Sequence, residues 1–185
     1  EHVVVTDETA QRDATAAMLH QATHDELTGL PNRSALLARL RDMCAAGEGF
    51  ALLLLDVDRF KLFNEAHGHL VGDDVLRALA TSLAKALEGR AETMRLGEDE
   101  FALLAHQVAQ AVRELLAQPL ALTGHEFFLD VSMGVALHTA HGRDPEALLR
   151  AANAAMHEAK HTPGTSLQFA EERFERGSGA TLLAE

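Results

Sequence analysis

The sequence predicts an α+β domain in which helices flank one central, mostly antiparallel sheet. A continuous apolar run over residues 50–55 has the length and composition of a strand that is buried on both faces. Other stretches space their apolar residues as amphipathic helices do. Strands and helices do not alternate strictly along the chain, so the pattern disfavours a sheet built only from parallel βαβ units.

The first part of the chain is predicted to be mainly helical. A β-branched run over residues 3–5 predicts a short strand, and a weak apolar stripe predicts a helix over 8–23. A turn-rich segment with Gly and Pro follows over 24–33. Ser34 is the candidate N-cap of a second helix, which Gly47 ends.

The second part of the chain begins at the buried strand. A polar loop leads from this strand to a helix over 72–87. Two short strands over 93–96 and 101–105 are joined by a tight acidic hairpin. The remaining predicted elements are a helix over 107–118, two strands around Gly124 that end near Leu137, a helix that starts near Asp144 and Pro145 and runs to Lys160, and an edge strand over 167–169.

Composition narrows the class of protein. The 185 residues suffice for one domain with a proper core, and the formal net charge of −12 argues against a nucleic-acid binder. Cys44 is the single cysteine, so an intramolecular disulfide is excluded and a reducing, cytoplasmic setting is expected. No apolar run approaches the length of a membrane span, so no membrane partner is expected. The chain starts at Glu1, and we expect it to be a segment of a longer protein.

Three polar features carry possible chemistry. Asp56 ends the buried strand, and Asp99 with Glu100 lies in the acidic hairpin. The third feature is the polar loop, which contains Lys61, Asn64, His67, Gly68, His69, Gly72 and Asp73. Carboxylates from a strand end and a neighbouring hairpin can meet at one point, where they would suit Mg²⁺. Taken separately, a solvated strand end, an ordinary turn and two histidines without a third zinc ligand remain open explanations.

Four segments occur in a characteristic order. They are residues 25–33 with Leu-Thr-Gly-Leu-Pro-Asn-Arg, residues 55–61 followed by Asn64, Gly68, His69, Gly72 and Asp73, the loop over 95–101, and the helix over 153–160. Together they resemble the motifs of the GGDEF domain of cyclic di-GMP signalling. The resemblance covers roughly residues 22–169 and implies the nucleotidyl-cyclase or palm-like fold of that family.

The resemblance also implies a site. Working members of the family condense two GTP molecules into cyclic di-GMP, with one GTP in each of two facing domains, so a homodimer is expected. Mg²⁺ (or Mn²⁺) would be held by Asp56, the carbonyl of Val57 and Asp99. The implied GTP-binding residues are Phe60, Lys61, Asn64, Asp73, Gly97, Glu98 and Lys160. Among them, Asn64 and Asp73 would read the guanine and the two lysines would meet phosphates, while Glu100 would assist the attacking 3′-hydroxyl.

The signature loop departs from the family at one position. It reads Gly-Glu-Asp-Glu-Phe, so that Glu98 stands where the family has its second glycine. A glycine there permits backbone angles that other residues avoid and lets the chain approach phosphates closely. Glutamate adds bulk and a negative charge beside a polyanion, unless the side chain points to solvent.

Other departures agree with a loss of catalysis. Residues 161–165 supply no phosphate-binding arginine after Lys160. The family's product-feedback motif, Arg-x-x-Asp, would fall at Glu88 and Ala91 and is absent. The connection after Ala105 is also shorter than the family's usual one, either because the chain is truly shortened there or because a disordered segment is left out of the sequence. These departures indicate that catalysis is lost, so the catalytic residues Lys61 and Glu100 are interpreted as vestigial. The metal and guanine groups remain, as expected of a nucleotide sensor.

The ends suggest the surroundings of the domain. Residues 3–9 resemble the last strand and exit motif of a PAS sensor domain, although a generic strand-to-helix junction explains them equally well. The tail over 171–185 resembles connections that lead to an EAL phosphodiesterase domain, but its charged residues, Gly and Ser also fit any linker. We therefore predict a sensor end with a signalling helix over 1–23, a GGDEF domain over 24–170 and a linker over 171–185.

Three functions follow as hypotheses. The first is a catalytically silent domain that binds GTP and regulates an attached cyclic di-GMP phosphodiesterase. The second is an active diguanylate cyclase. The third is an interaction module that has lost nucleotide binding.

Overall fold

A computed structural model describes residues 2–105, 114, 116–122 and 124–171, with side chains described from residue 7 onwards. Its helices are α1 (His2–Thr23), α2 (Arg33–Ala46), α3 (Phe60–His67), α4 (His69–Ala86) and α5 (Pro145–Ala159). Its strands are β1 (Phe50–Val57), β2 (Ala91–Arg95), β3 (Glu100–Ala105), β4 (Leu120–Leu122), β5 (His125–Phe127), β6 (Val131–His138) and β7 (Ser166–Phe169). Within this described part, no helix combines the length and apolar character that crossing a membrane requires.

The main sheet has the strand order β2-β3-β1-β6-β7. β1 is antiparallel to both β3 and β6, and only the edge strand β7 runs parallel to its neighbour β6. Every residue of β1 is buried, because the strand lies at the centre of the sheet and is covered on both faces. The predicted α+β class and the mostly antiparallel sheet are therefore confirmed.

Two apolar cores lie on opposite faces of the sheet, because successive side chains of a strand point to opposite sides. Leu53 and Leu55 of β1 face the core that α4 covers. Leu52 and Leu54 face the core formed with α2 and α5. α5 lies directly on β6, since a Cβ atom at Gly134 would overlap backbone atoms of Ala152 and Met156. This close contact helps to fix the end of α5 beside the end of β1.

Two predictions about the first part of the chain are wrong. Residues 3–5, predicted as a strand, belong to α1, because β propensity is a weak local preference that the continuous helix overrides. The N-cap of α2 is Asn32 rather than Ser34, and its side-chain oxygen accepts a hydrogen bond from the Ala35 backbone at 3.1 Å. The Asn32 side-chain amide also donates to the Ala22 carbonyl at 2.9 Å, so one residue joins the end of α1 to the start of α2.

The predicted polar loop after β1 is also wrong. Residues 60–67 form α3, and α4 begins at His69 rather than at residue 72. Gly68, with φ of 88°, is the residue at which the two helices meet. Glycines signal loops in sequence, but Gly72 lies inside α4 because a larger residue would overlap Asn64.

The remaining predictions mostly hold. The β2–β3 hairpin, the edge strand β7 and the Asp144 cap of α5, which accepts from the Ala147 backbone at 2.9 Å, are confirmed. The region around Gly124 forms three strands rather than two, because β4 and β5 make a separate small sheet before β6 begins. The helix predicted over 107–118 lies largely outside the described residues, as does the linker after residue 171.

Candidate functional site

A cleft of about 580 Å³ opens at the carboxyl end of β1. Its walls come from the end of β1, the start of α3, the β2–β3 hairpin and the segment that follows α5. The residues lining it are Asp56, Val57, Asp58, Arg59, Phe60, Lys61, Asp99, Asp130, Lys160, His161, Thr162, Pro163 and Gly164. It brings together six of the predicted site residues: Asp56, Val57, Phe60, Lys61, Asp99 and Lys160.

Strand pairing places the acidic groups of the cleft side by side. Asp56 lies opposite Glu100 in the β1–β3 register. The Val57 backbone N–H donates to the carbonyl oxygen of Asp99 at 3.1 Å, which ties the end of β1 to the hairpin. The Leu96 N–H donates to the Glu100 carbonyl at 2.9 Å and closes that hairpin. The carboxylates therefore converge because β1 ends and its antiparallel neighbour β3 begins at the same edge of the sheet.

Asp56 is a buried carboxylate with only one oxygen satisfied. The residue is 6% exposed, and its Oδ2 accepts a hydrogen bond from the Lys160 ammonium. Its Oδ1 is buried and has no hydrogen-bond partner. Leaving a buried charged oxygen without a partner is costly, and such atoms in native proteins usually indicate a ligand or an ordered water.

Asp99 is electrostatically strained beside Asp56. Burial, then the close carboxylate of Asp56 with its negative charge, raise the pKa of Asp99 to about 7, and Glu100 adds to the effect. Two neighbouring carboxylates that oppose each other's ionisation are stabilised by a cation between them. The arrangement thus fits a divalent metal ion.

The kind of metal follows from the donor set. Among the described residues, no group of three His, Cys, Asp or Glu side chains could hold a metal ion by itself. Asp56, Asp99 and the carbonyl of Val57 are all oxygen donors. Mg²⁺ typically binds through one or two carboxylates and completes its shell with water and phosphate oxygens. This set of oxygen donors matches the coordination preference of Mg²⁺ better than that of Zn²⁺.

Two lysines line the same cleft. Lys160 follows α5 and is 37% exposed, while Lys61 is exposed on the first turn of α3. Burial alone would lower the pKa of Lys160, but the hydrogen bond and charge of Asp56, with Asp99 and Asp58, raise it above its ordinary value. Lys160 is therefore held as an ammonium, the form that pairs with phosphate oxygens.

The predicted guanine-reading residues lie on the α3–α4 pair, outside the lining of the cleft. Asn64 packs against Gly72, and its side-chain oxygen is buried without a hydrogen-bond partner. Asp73 is half-buried on the next position of α4. Phe60 lines the cleft, and its ring approaches the position that a Cβ at Gly72 would occupy. Phe60 thus connects the acidic cleft with the Asn64 region.

The signature residues Gly97 and Glu98 face elsewhere. Both are exposed and line a separate cavity of about 250 Å³ with Asp25 and Arg95. Neither has a positive φ; among the described residues other than glycine, only Arg59 does. Glu98 therefore does not use the backbone angles that a glycine at this position would permit.

The family comparison agrees with this geometry. Residues 22–166 match the model of the family described as "Diguanylate cyclase, GGDEF domain". The chain belongs to the GGDEF family.

The relatives of this GGDEF domain include a diguanylate cyclase and a cyclic di-GMP phosphodiesterase. It is 36% identical over 174 residues to the diguanylate cyclase TpbB of Pseudomonas aeruginosa, covering 86% of this chain and 40% of that protein. It is 32% identical over 168 residues to the cyclic di-GMP phosphodiesterase NbdA of the same species, covering 84% of this chain and 22% of that protein. The chain thus spans less than half of each relative.

A solved structure supports the fold assignment. The coiled coil and GGDEF domain of DgcB from Caulobacter crescentus, solved in complex with c-di-GMP, superposes with a TM-score of 0.77 at 25% identity. The match covers 91% of this chain and 98% of that one.

Sequence reasoning did not predict two contacts of this GGDEF domain. Arg95 forms an ion pair with Asp25, and with side chains 10% and 22% exposed the pair is largely buried. The Ser132 hydroxyl donates to Asp58 Oδ1 at 2.6 Å, which holds a third carboxylate at the wall of the cleft. Both acids lie inside the family-like motifs, but their partners are 70 and 74 positions away in the chain.

Proposed function

We propose that this GGDEF domain binds GTP together with Mg²⁺ (or Mn²⁺) and regulates a cyclic di-GMP phosphodiesterase domain of the EAL type in the same protein. The observation that carries the proposal is the buried, unpartnered Oδ1 of Asp56 beside Asp99, in a cleft that also contains two lysines. Such a site suits a cation and a polyanion bound together.

The residues of the cleft have distinct parts in binding. Asp56, Asp99 and the Val57 carbonyl would hold the metal ion, which when bound neutralises phosphate charge. Lys61 and Lys160 lie where they can pair with phosphate oxygens. Phe60 supplies an apolar wall between the phosphates and the base.

Recognition of the base is assigned to the α3–α4 pair. The amide of Asn64 offers both a donor and an acceptor, and the carboxylate of Asp73 accepts hydrogen bonds from the edge of a guanine. The buried Asn64 oxygen lacks a partner in the structure, which supports a role in binding a ligand.

A regulatory role is favoured over turnover because the chain departs from the family's motifs at two places. Glu98 stands at the second glycine of the signature, and residues 161–165 contain no arginine. A ligand shifts the activity of a neighbouring domain only when it binds one arrangement of the pair more tightly. We therefore propose that GTP binds the active and the inactive arrangement of the phosphodiesterase with different affinities.

The surroundings of the domain belong to the same proposal. The relatives of known name include a phosphodiesterase, and the chain spans only part of each. These findings support a composite protein in which α1 leads from a PAS sensor and residues 171–185 lead to an EAL domain. α1 is a helix along its whole described length, which supports a signalling helix and a homodimer formed through it.

An active diguanylate cyclase is the second candidate. The ordinary backbone angles and exposed side chain at Glu98 favour it, since neither requires distortion of the hairpin. Glu100 also keeps its place opposite Asp56. In that case two domains would face each other, each holding one GTP.

Calorimetric titration of the chain with GTP and Mg²⁺, with ATP as the control nucleotide, tests the proposal. Micromolar, GTP-selective binding without formation of cyclic di-GMP is the expected result, whereas product in the same sample would favour the cyclase. Asp73→Ala should lose the preference for GTP. Asp74→Ala is its matched control, because Asp74 is the exposed neighbour and pairs with Arg77 on the surface of α4. Absence of binding up to millimolar GTP would leave an interaction module.

A further inference from the structure

The ammonium of Lys160 binds Asp56, and both residues line the cleft. Lys160 Nζ donates to Asp56 Oδ2, joining the end of α5 to the end of β1 across 104 positions of sequence. The other oxygen, Oδ1, is buried and without a partner. One carboxylate thus binds an internal cation through Oδ2 and has a second oxygen without a partner.

The charges around Lys160 favour this arrangement only while no metal is bound. The ammonium interacts with Asp56, Asp99 and Asp58, which are acids of the cleft. A divalent cation between Asp56 and Asp99 would share those carboxylates and repel the ammonium at close range. The lysine and the metal ion therefore compete for the same negative charge.

The cleft contains space into which the Lys160 side chain can move. Its side chain is 37% exposed, whereas that of Asp56 is 8% exposed, so the lysine is the partner that can move. The same cleft continues past the lysine along residues 161–164. A lysine has a flexible four-carbon stem, so its head can turn into this space without moving α5.

We propose that Lys160 is an exchangeable counter-ion: it neutralises Asp56 while the site lacks a metal, and a divalent cation binds only as the ammonium leaves Asp56 for the open cleft. In the open cleft the ammonium pairs with a phosphate group of the nucleotide. This second part of the proposal rests on the proposed function. Metal and phosphate then strengthen each other's binding, because each stabilises the position of Lys160 away from Asp56.

A purely structural ion pair predicts the opposite outcome on substitution. Removing Lys160 would then weaken the fold and leave metal affinity unchanged or reduced. If Lys160 competes with the metal, Lys160→Met exposes both oxygens of Asp56 to the cation and tightens its binding.

The test uses Mn²⁺ alone, with no nucleotide, and follows the free ion by electron paramagnetic resonance. The chain is compared with Lys160→Met and with Lys85→Met, which removes an exposed lysine on α4 outside the cleft. We expect Lys160→Met to bind Mn²⁺ at least about tenfold more tightly than wild type and Lys85→Met to match wild type. Equal or weaker binding by Lys160→Met, or no binding by any of the three, would overturn the proposal.

A second measurement needs no variant. The chain has three lysines, Lys61, Lys85 and Lys160, so acetylation by acetic anhydride can be read at each one by mass spectrometry. Saturating Mn²⁺ should increase the labelling of Lys160 severalfold and leave Lys85 unchanged. Unchanged labelling of Lys160 at a Mn²⁺ concentration shown to be bound would overturn the exchange. Because neither experiment contains GTP, a negative GTP titration would overturn the proposed function without touching this result.

Discussion

Arg95 Nη1 donates hydrogen bonds to both carboxylate oxygens of Asp25, at 3.0 and 2.9 Å. Asp25 lies in the turn between α1 and α2, and Arg95 is the last residue of β2 before the signature hairpin. The Arg95 backbone N–H also donates to the Pro31 carbonyl at 2.9 Å. The turn that follows α1 and the hairpin that carries Asp99 are thus held as one unit.

The first prediction concerns this ion pair. Asp25→Ala should lower the free energy of unfolding by about 2 kcal/mol, because it leaves a largely buried arginine without its charged partner. Glu92→Ala is the control, since Glu92 pairs with Arg39 on the exposed surface, where such pairs contribute about 0–1 kcal/mol. Urea denaturation measures both, and equal losses in the two variants would contradict the prediction.

The stabilisation by Asp25 should depend on pH. Burial of Asp25 opposes ionisation, but its hydrogen bonds from Thr28 and Arg95 outweigh it and lower the pKa of Asp25 below its ordinary value. A lowered carboxyl pKa gives stability that is complete above the unfolded pKa and is lost as pH falls through the folded one. The stability difference between wild type and Asp25→Ala should therefore shrink below about pH 4.

The second prediction concerns Asp99, whose pKa is raised to about 7. An unfolded aspartate titrates near 3.9. Between those values the folded chain binds more protons than the unfolded chain, so stability falls as pH rises across that window. In EDTA, Asp99→Asn should thus gain stability relative to wild type between about pH 4 and 8.

The control for Asp99→Asn is Asp74→Asn, which changes an exposed acid on α4. Urea denaturation at several pH values gives the comparison, and a pH-independent difference between wild type and Asp99→Asn would count against it. Saturating Mg²⁺ should restore the stability of wild type at pH 8 but not add stability to Asp99→Asn.

The third prediction concerns Gly72. A Cβ there would overlap the side-chain oxygen of Asn64. Alanine within a helix normally stabilises by roughly 0.5–1 kcal/mol, but overpacking costs about 1–3 kcal/mol. Gly72→Ala should therefore be destabilised on balance and should displace Asn64, with weaker GTP binding.

Gly49→Ala is the matched control, because a Cβ at Gly49 meets no atom within 4 Å and its φ is not positive. Chemical denaturation and GTP calorimetry on both variants provide the readouts. A Gly72→Ala protein with wild-type stability and GTP affinity would show that Asn64 is not held by this contact.

The fourth prediction concerns the altered signature position. Glu98 is exposed and lines a different cavity from the metal cleft. Exposed charges are screened by water and salt. Glu98→Gly should hence change GTP affinity by less than about fivefold, measured by calorimetry. A gain of a hundredfold or more would mean that Glu98 lies beside the phosphates when GTP is bound.

The sequence predicted the parts of the fold that depend on local pattern. The apolar run that forms β1 and the Asp144 cap of α5 are such cases, because burial and capping leave a direct mark on the residue types. The prediction for the region after β1 was wrong because the sequence alone does not distinguish the roles of Gly68 and Gly72. One separates two helices, whereas the other lies inside a helix to make room for Asn64.

The candidate site divides in the same way. Motif resemblance identified Asp56, Asp99 and Lys160, but not that the lysine binds the aspartate, since that contact depends on how α5 lies on the sheet. Asp25 and Arg95 likewise occur in two recognisable motifs, yet only the folded chain shows them paired. Long-range contacts of this kind follow from topology, which residue pattern alone does not specify.

The two side-chain hydrogen bonds of Asn32 have a consequence for anything attached to α1. Because Asn32 caps α2 and also donates to the Ala22 carbonyl, the last turn of α1 is fixed in rotation relative to the domain. An α-helix turns by about 100° per residue. Inserting one residue into α1 would therefore swing an upstream module about a quarter of a circle around the helix axis, whereas inserting seven would return it close to its original azimuth.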